Sequence, residues 1–408
     1  MKKNFLIPIG LMLFALFFGA GNLIFPVYMG QNAGVNTIPA TLGFLLTGVG
    51  FPILAVAAIG YAGSDLESLA SRVHKGYAIF FTVCLTIGPA FAIPRTATTS
   101  YAIGIAPFFG ESMQQTALYA FAFIFFVISW WLSISPSKLV NRIGKIITPA
   151  LLLFLAILFI TATLFPMGSW QEAQAAYQPS IKALTQGFLD GYNTMDALAG
   201  FVFGIIVVNA VRQYGATSNE EVASHTLKSG LIAGACLAVI YIFLSFIGAC
   251  SVQELGLMKN GADILVGTAH HYFGSYGRIL MGVIVLLACL TTSVEYFKKL
   301  IPALSYRAWV TVFSVISFGI ALFGLTTIIT AAIPVLMFLY PLTISLIFLT
   351  FGDHLFGGKR SVYACATLCT LIPALYDGCH TAGLSLGAID GLMQSLPLAG
   401  YGLSWIFF

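Results

Sequence analysis

The chain has 408 residues, of which 59% are hydrophobic and 8% are charged, with a formal net charge of +4. A soluble domain carries roughly a quarter charged residues, so this composition and a mean hydropathy of +0.95 favour an all-α polytopic membrane protein. The basic residues are scattered rather than clustered, which indicates a lipid bilayer and no nucleic acid as the partner.

Apolar segments of about 20 residues, the length that crosses a bilayer, recur along the chain. They are predicted at 5–29, 37–61, 77–106, 117–135, 144–165, 186–211, 229–251, 278–297, 308–325, 330–351 and 361–376. A shorter apolar tail at about 395–408 is expected to be a twelfth span that is short or truncated. The basic start "MKKNFLIPIG" is interpreted as the beginning of the first span, because uncharged sequence continues to Met29.

The basic residues favour one side of the membrane. With the N-terminus in the cytoplasm, 14 of the 18 Lys and Arg residues fall inside, Arg95 falls within a span, and Lys182, Lys259 and Arg278 fall outside. This bias follows the positive-inside rule and supports the number of spans, since a missed helix would reverse the later loops. An outer stretch, "GADILVGTAHHYF", looks amphipathic and is expected along the membrane surface.

The first span is interrupted at its centre. The stretch "LFFGAGNLIF" (16–25) contains Gly19, Ala20, Gly21 and Asn22. Each glycine costs a helix interior about 1 kcal/mol relative to alanine, and the asparagine amide has no partner in lipid. Glycines also permit close helix packing, so the stretch alone fits either a helix break or a tight helix contact.

The sixth span carries a second interruption. The stretch "LDGYNTMDALAGFVFG" (189–204) places Asn193, Thr194 and Asp196 in apolar surroundings. The two spans are five helices apart, so they belong to two five-helix units of opposite direction, 1–165 and 186–351, with 361–408 outside the repeats. Matching interruptions in two halves indicate a transporter site, because unwound carbonyls hold cations and helix N-termini favour carboxylates.

The third and eighth spans also correspond in the two halves. The third reads "GPAFAIPRTATTSYAIG" and the eighth "LLACLTTSVEYF", with Thr291, Thr292 and Ser293 in succession. Two of these hydroxyls, with the carbonyl of Ala288 or, in a shifted register, Cys289, supply the oxygen ligands that a sodium ion needs. Alternatively, each hydroxyl bonds back to its own helix.

Three charged residues lie within or near the spans. A charge at mid-bilayer costs at least about 2.5 kcal/mol, so Arg95 and Asp196 are candidates for coupling or gating. Arg95 can pair with Asp196 or Asp190, or face a water-filled vestibule. Asp196 can be neutral, a cation ligand or a proton carrier, and Glu295 serves either a structural ion pair or coupling.

As a set, three motifs resemble the branched-chain amino acid:cation symporters of the BrnQ type. They are "GLMLFALFFGAGNLIFP" (10–26), "GPAFAIPRTATTSY" (88–101) and "GFLDGYNTMDALAGFVFG" (187–204), and the resemblance covers essentially the whole chain. It implies a LeuT-type 5+5 inverted-repeat fold with twelve spans. It also implies symport of leucine, isoleucine and valine with Na⁺ or H⁺, by alternating access, across the bacterial inner membrane.

The resemblance also implies site residues. Carbonyls of Ala15 and Phe18 would join the hydroxyl set and Ala288 around Na⁺, and amides of Gly19 to Gly21 would hold the substrate carboxylate. The substrate ammonium and side chain would lie near Tyr101 and the second interruption, Tyr192, Asn193, Thr194, Met195 and Asp196. The stretch between Asn22 and Pro26 lacks the arginine of other amino-acid transporters with this fold, so the outer gate must be built differently.

Other functions compete with sodium-coupled symport. A proton-coupled amino acid symporter is the nearest alternative, because Asp196 is a candidate proton carrier. A cation channel also uses broken helices, but no ring of like residues is readable. An enzyme is not expected, since the sequence has neither a Gly-x-Gly-Asp nor a His-Glu-x-x-His motif. No cofactor is expected beyond the coupling ion.

Overall fold

The structure of the protein is a computed structural model that describes residues 5–63, 66–134, 138–296 and 306–407. Side chains are described throughout these ranges except at 84–89, 138–148, 291, 295–296 and 388. The described chain is helical, in the order α1 (Leu6–Phe17), α2 (Ala20–Ala33), α3 (Thr37–Leu45), α4 (Phe51–Ala62), α5 (Leu66–Ser71), α6 (Lys75–Gly104), α7 (Glu111–Ile134), α8 (Lys138–Leu164), α9 (Ser180–Asp190), α10 (Asp196–Gln213), α11 (Asn219–Leu255), α12 (Gly261–Tyr296), α13 (Tyr306–Ala321), α14 (Leu325–Phe351), α15 (Asp353–Phe356), α16 (Arg360–Thr381) and α17 (Ala388–Gln394).

The outer faces of these helices are those of a membrane protein. Seven helical segments of the described chain are long and apolar enough to cross a bilayer. Large apolar side chains such as Trp131, Leu153 and Phe323 are 60%, 63% and 70% exposed. Side chains of this kind on so many helix faces suit contact with lipid rather than water. The predicted all-α polytopic architecture is therefore confirmed.

Two spans are interrupted, as predicted. The first consists of α1 and α2, which are separated at Phe18 and Gly19, and the sixth consists of α9 and α10, which are separated by the 3₁₀ turn Gly191–Thr194 and Met195. That turn contacts α2, so the two interruptions lie side by side inside the bundle. We call the end of the bundle at which α2, α6 and α8 finish the distal end.

The interrupted spans pack reciprocally between the two halves of the chain. Both α1 and α2 lie against α11, whereas α9 lies against α3 and α10 against α4. The first span thus packs on the seventh, and the sixth packs on the second. An inverted repeat requires this exchange, because it relates the first and second spans to the sixth and seventh.

Glycines bring the backbones of these paired helices into direct contact. A methyl group built on Gly248 of α11 would lie 2.0 Å from the carbonyl oxygen of Val27 in α2, and one on Gly30 would lie equally close to the backbone of α11. The α3–α9 contact is built in the same way, since a methyl on Gly43 or Gly187 would lie 1.9 Å from a backbone oxygen of the other helix. Only glycine permits so close an approach.

The stretch 261–273 is helical with one buried face, and its position along the membrane surface stays a prediction. Ala262, Ile264 and Leu265 are fully buried, and a methyl on Gly261 would lie 1.9 Å from the carbonyl oxygen of Ile24 in α2. The start of this stretch packs against α2 at Ile24, and the backbone turns into the eighth span at Gly274, where φ is 59°.

The tail departs from the predicted twelfth span. After α17, the residues described up to 407 form two short 3₁₀ turns, Ala399–Tyr401 and Ser404–Phe407, rather than a long helix. Trp405 is 8% exposed, because the last turn packs against α16.

Candidate functional site

The first interruption is closed by its own asparagine. Phe18 leaves the helix with a ψ of 97°, and Gly19 is extended, although the Phe18 N–H still donates to the carbonyl of Phe14 at 2.8 Å. The Gly19 N–H donates instead to Oδ1 of Asn22 at 2.9 Å. In an unbroken helix this N–H would bond to the carbonyl of Ala15. At the break, the Gly19 N–H that would donate to the Ala15 carbonyl in a continuous helix therefore donates to Asn22 instead.

The second interruption is held by a threonine. Thr194 Oγ1 donates to the carbonyl of Gly191 at 2.9 Å and accepts from the N–H of Asp196 at 3.3 Å. Between them, Met195 has a φ of 62°, a left-handed conformation that costs a non-glycine residue about 1–3 kcal/mol. Because α10 begins at Asp196, the carboxylate lies at the positive end of that helix dipole.

A three-way hydrogen-bond network joins the two interruptions. Asn22 Nδ2 donates to Asp196 Oδ2 at 2.6 Å and also to the hydroxyl of Tyr241 on α11. The same hydroxyl donates to Asp196 Oδ2 at 3.1 Å. All three residues are buried, with exposures of 2%, 3% and 0% for Asn22, Asp196 and Tyr241. A satisfied polar network in an apolar core fixes the geometry of its members.

Arg95 of α6 closes one side of this region. Its Nη1 donates to the main-chain carbonyl of Asn193 at 2.7 Å, and its guanidinium carbon lies 5.0 Å from the ring centroid of Phe25. A methyl group on Gly21 would lie 2.7 Å from Nη2, so the glycine makes room for the guanidinium. Arg95 thus connects the third span to both interruptions. This geometry combines a charge-assisted hydrogen bond with a cation–π contact.

The predicted residues converge on one small cavity, which we call the central cavity. It is lined by Gly19, Ala20, Gly21, Asn22, Thr194 and Asp196 from the interruptions, by Arg95 and Thr96 from α6 and by Thr292 from α12. Its volume is about 20 Å³, which is room for a water molecule or a small ion rather than an amino acid. Binding of a larger molecule here requires α6 or α12 to move away from the interruptions.

The hydroxyl set of the eighth span is divided between two faces. A methyl on Gly19 would lie 3.4 Å from Cγ2 of Thr292, so Thr292 faces the first interruption. The hydroxyl of Thr292 donates to the main-chain carbonyl of Ala288 in its own helix at 2.9 Å. The hydroxyl of Ser293 lies 2.8 Å from that of Ser129 on α7. The predicted hydroxyl pair that fits these contacts is Thr291 with Thr292, because Ser293 points toward α7.

Two of the predicted residues on the eighth span are not described in full. The side chains of Thr291 and Glu295 lie outside the part of the chain whose side chains the structure describes. Of the first-span carbonyl pair, Ala15 lies in the last turn of α1, and Phe18 follows that helix with a buried side chain.

Four predicted substrate residues are not part of the lining of the central cavity, namely Tyr101, Tyr192, Asn193 and Met195. The hydroxyl of Tyr101 donates to the carbonyl of Gln114 at 2.6 Å, at the start of α7. Tyr192 is buried and stacks on Tyr340 of α14, with ring centroids 4.1 Å apart. The structure therefore does not bring Tyr101 to the interruptions, and it places the Tyr192 ring between the second interruption and α14.

Sequence reasoning missed Tyr241 and Thr96. Tyr241 lies within "LAVIYIFLSF", an uninterrupted apolar helix in which a tyrosine is an ordinary core residue. Thr96 follows Arg95 directly and was available as a neighbour of a charged residue in a span. For Tyr241, only the pairing of the seventh span with the first could have served as a signal.

A second, larger cavity lies toward the distal end, and we call it the distal cavity. Its volume is about 200 Å³, and it lies between α2, the second interruption, α14 and the loop before α12. Phe25 and Asn193, the two residues that contact Arg95, line this cavity. Arg95 thus lines the central cavity and contacts two residues that line the distal cavity.

Two broken helices that meet at a buried polar site, in five-helix units of opposite direction, are typical of the LeuT-type fold of helical membrane proteins. Two solved structures share this fold along nearly their whole length. One is Mhp1, a nucleobase-cation-symport-1 family transporter, with a TM-score of 0.60 and 16% identity over 98% of this chain and 92% of its own. The other is MhsT in complex with L-phenylalanine, with a TM-score of 0.58 and 15% identity over 98% and 95%. This likeness concerns the fold alone.

Within that class, the chain belongs to the branched-chain amino acid transport protein family, whose model matches residues 1–408. The branched-chain amino acid permease BrnQ of Bacillus subtilis is 44% identical over 99% of this chain and 94% of its own length. The branched-chain amino acid transport system 2 carrier protein of Pseudomonas aeruginosa is 39% identical, over 98% and 92%. BrnQ of Escherichia coli K12 is 36% identical, over 100% and 93%. These relatives are named as permeases and carriers, not as enzymes.

Proposed function

We propose that this protein is a secondary active symporter that imports leucine, isoleucine and valine with Na⁺ by alternating access. The observation that carries the proposal is the convergence of both helix interruptions on one buried polar site, through the network of Asn22, Asp196 and Tyr241. Whole-chain identity of 36–44% to named branched-chain amino acid permeases supports the substrate class.

In this proposal the amino acid binds between the two interruptions. Backbone amides of Ala20 and Gly21, at the start of α2, favour the substrate carboxylate, whereas the predicted contribution of the Gly19 N–H would require it to leave Asn22. Carbonyls exposed at the second interruption, from Tyr192 to Asp196, favour the ammonium group. An apolar pocket distinguishes each methylene by only about 1–3 kcal/mol, so the three branched substrates compete for the same site.

The coupling ion is proposed to be Na⁺, held where the first and eighth spans face each other. Its ligands are the carbonyl oxygens of Ala15, Phe18 and Ala288 and the hydroxyls of Thr291 and Thr292. Thr292 faces Gly19, and the Gly19 N–H is engaged by Asn22 rather than by Ala15; both observations support this register. Ser293 is omitted because its hydroxyl pairs with that of Ser129.

Proton coupling is the alternative that a specific observation favours. Asp196 is a buried carboxylate that joins both interruptions, and a carboxylate within a membrane span is a candidate proton carrier. Glu295 remains a candidate for coupling from its sequence position alone. A cation channel is the more distant alternative.

Arg95 is proposed as the gate that the first span does not supply. Its bond to the carbonyl of Asn193 and its contact with Phe25 bridge α6 and both interruptions between the two cavities. Passage of a substrate from the distal cavity inward requires these contacts to open. The bias of the basic residues supports an orientation with the distal end outside the cell and the N-terminus in the cytoplasm, in the inner membrane of a bacterium.

Uptake of radiolabelled leucine into proteoliposomes tests the function and the coupling ion together. An imposed inward Na⁺ gradient should drive uptake that isoleucine and valine compete. Uptake driven by a proton gradient alone would move coupling to Asp196 and leave the threonine set as helix packing. Ohmic ion flux without stoichiometric amino acid movement would favour the channel, and no uptake under either gradient would refute the substrate assignment.

A further inference from the structure

The distal cavity holds opposite charges and apolar side chains in one enclosure. Its lining includes the ammonium of Lys259, the carboxylate of Asp190, the hydroxyls of Thr326 and Thr330, and the apolar side chains of Ile329 and Ile333. We propose that it is a second binding site for an α-amino acid zwitterion with a branched apolar side chain. The inference rests on the proposed function, since it takes the same substrate class one step before the Arg95 gate.

Lys259 provides the group for the substrate carboxylate. It is one of only three basic residues predicted on the outer side of the protein, where the positive-inside bias removes most others. Its side chain is exposed, and among the described residues it forms no ion pair within 4.0 Å. Asp263, four residues on, accepts a hydrogen bond at its Oδ2 from Nδ2 of Asn260 at 3.1 Å, and its carboxyl feels the charge of Lys259 without forming an ion pair with it within 4.0 Å. A carboxylate in the distal cavity would therefore meet an exposed ammonium on which Asp263 acts only from beyond ion-pair distance.

Asp190 provides the group for the substrate ammonium. Its Oδ2 accepts from the hydroxyl of Tyr177 at 2.6 Å, and its Oδ1 accepts from Nε2 of Gln186 at 3.0 Å. A carboxylate has about four acceptor positions, so two remain after these bonds. The two neighbours hold the carboxylate in a fixed orientation, and this fixed orientation reduces the entropy lost when a ligand binds.

The size and the apolar wall of the cavity fit the same ligand. Its volume of about 200 Å³ is tenfold that of the central cavity. Its lining includes Ile24 and Met29 of α2 and Ile329 and Ile333 of α14. A site with apolar walls and a few placed polar groups is the usual form of a small-molecule pocket.

The floor of the distal cavity connects this site to the gate. Phe25 and Asn193 line the cavity and also make the contacts that hold Arg95. An amino acid in the distal cavity thus rests on the two residues that must separate from Arg95 before it can pass inward.

Thiol labelling reports occupancy of this cavity. Thr330→Cys places an exposed thiol in the lining of the distal cavity. The substitution removes only the hydrogen bond from the Thr330 hydroxyl to the carbonyl of Thr326 in the same helix. Leucine should slow its reaction with a membrane-impermeant maleimide in proteoliposomes, and should still do so in an Asp196→Asn background that disables the central site. Thr327→Cys, on the same helix, exposed but outside the lining, is the matched control. The parent chain without an added cysteine gives the background from native thiols.

Lysine variants test recognition of the zwitterion. Lys259→Gln should raise the half-protecting leucine concentration about threefold to fivefold, the size expected for one solvent-exposed ion pair. Lys182→Gln should leave that concentration unchanged, because Lys182 is an outer lysine outside the lining.

The outcomes separate this proposal from the proposed function. Leucine uptake by the parent chain tests the function, whereas protection of the thiol tests the cavity. Protection lost in the Asp196→Asn background, protection absent in both backgrounds, or an equal response to the two lysine variants would overturn the second site. If the Asp196→Asn protein does not elute as a single species, the number of leucine molecules bound by each parent chain is measured instead. Two molecules per chain support the second site, and one molecule per chain overturns it.

Discussion

The hydroxyl of Tyr241 is expected to contribute more to substrate binding than any other single hydroxyl on α11. It accepts a hydrogen bond from Asn22 and donates one to Oδ2 of Asp196 at 3.1 Å, so it ties both interruptions to one helix. Tyr241→Phe removes this atom with little change in shape. The ring keeps its edge-to-face contact with Phe44, whose centroid lies 5.2 Å away.

The magnitude follows from the bond that is lost. A hydrogen bond to a charged group contributes about 1.5–3 kcal/mol, and removal of one partner leaves the other unsatisfied in an apolar interior. A loss of about 2 kcal/mol corresponds to a change of roughly 30-fold in an equilibrium constant. Because this network fixes the geometry of both interruptions, we expect the half-saturating leucine concentration for uptake to rise in Tyr241→Phe by up to about that factor.

Ser245→Ala is the matched control for this measurement. Ser245 is equally buried and lies one turn further along α11, but its hydroxyl donates only to the carbonyl of Tyr241 within its own helix, at 2.8 Å. Its removal should change leucine uptake less than twofold. Comparable behaviour of the two variants, or a Tyr241→Phe protein within twofold of the parent, would refute the reasoning.

Three further substitutions test other parts of the molecule. Asp196→Asn should abolish accumulative leucine uptake, because a buried carboxylate in a span is either a charge partner or a proton carrier; normal uptake would show it to be structural. Thr292→Val should raise the half-activating Na⁺ concentration about tenfold, the effect of losing about 1.4 kcal/mol, with little change in amino acid preference, and unchanged Na⁺ affinity would count against the site. Gly248→Ala should lower the unfolding temperature in detergent, since its methyl would lie 2.0 Å from the carbonyl oxygen of Val27 and overpacking costs about 1–3 kcal/mol. Gly319→Ala, whose methyl meets nothing within 4 Å, should be neutral or stabilising by up to about 1 kcal/mol, and equal destabilisation by both would contradict the packing argument.

The interruptions were predictable because they violate a strong local rule. Gly19, Asn22 and Asp196 interrupt long apolar runs, and lipid provides no partner for an unsatisfied polar group. A sequence that keeps such residues at matching places in two halves indicates a site. The same logic identified Arg95, although the sequence left its partner open, and the structure gives the main-chain carbonyl of Asn193 as a partner.

The parts that escaped prediction depend on rotation of a helix about its own axis. Thr292 and Ser293 are adjacent in sequence, yet one faces the first interruption and the other pairs with Ser129 on α7. Tyr101 lies at the end of α6, where its hydroxyl reaches the carbonyl of Gln114 instead of the site. Packing between helices sets these directions, and a buried apolar helix shows little periodicity from which to infer them.

The glycine contacts between helices have a mechanical consequence. Where two backbones touch without intervening side chains, no rotamer change can absorb sliding, so α2 moves with α11 and α9 moves with α3. Gly104 and Gly282 join α6 in the same manner to the part of α12 beyond the turn at Gly274, since a methyl on Gly282 would lie 2.7 Å from the Cα of Gly104. The bundle then consists of rigid groups of helices that meet at interfaces formed by side chains. Arg95 of α6 lies at one of these interfaces, next to α2 and the second interruption. Spin labels on α2 and α11 should keep a constant separation through a transport cycle, whereas the distance between labels on α2 and α6 should change during the cycle.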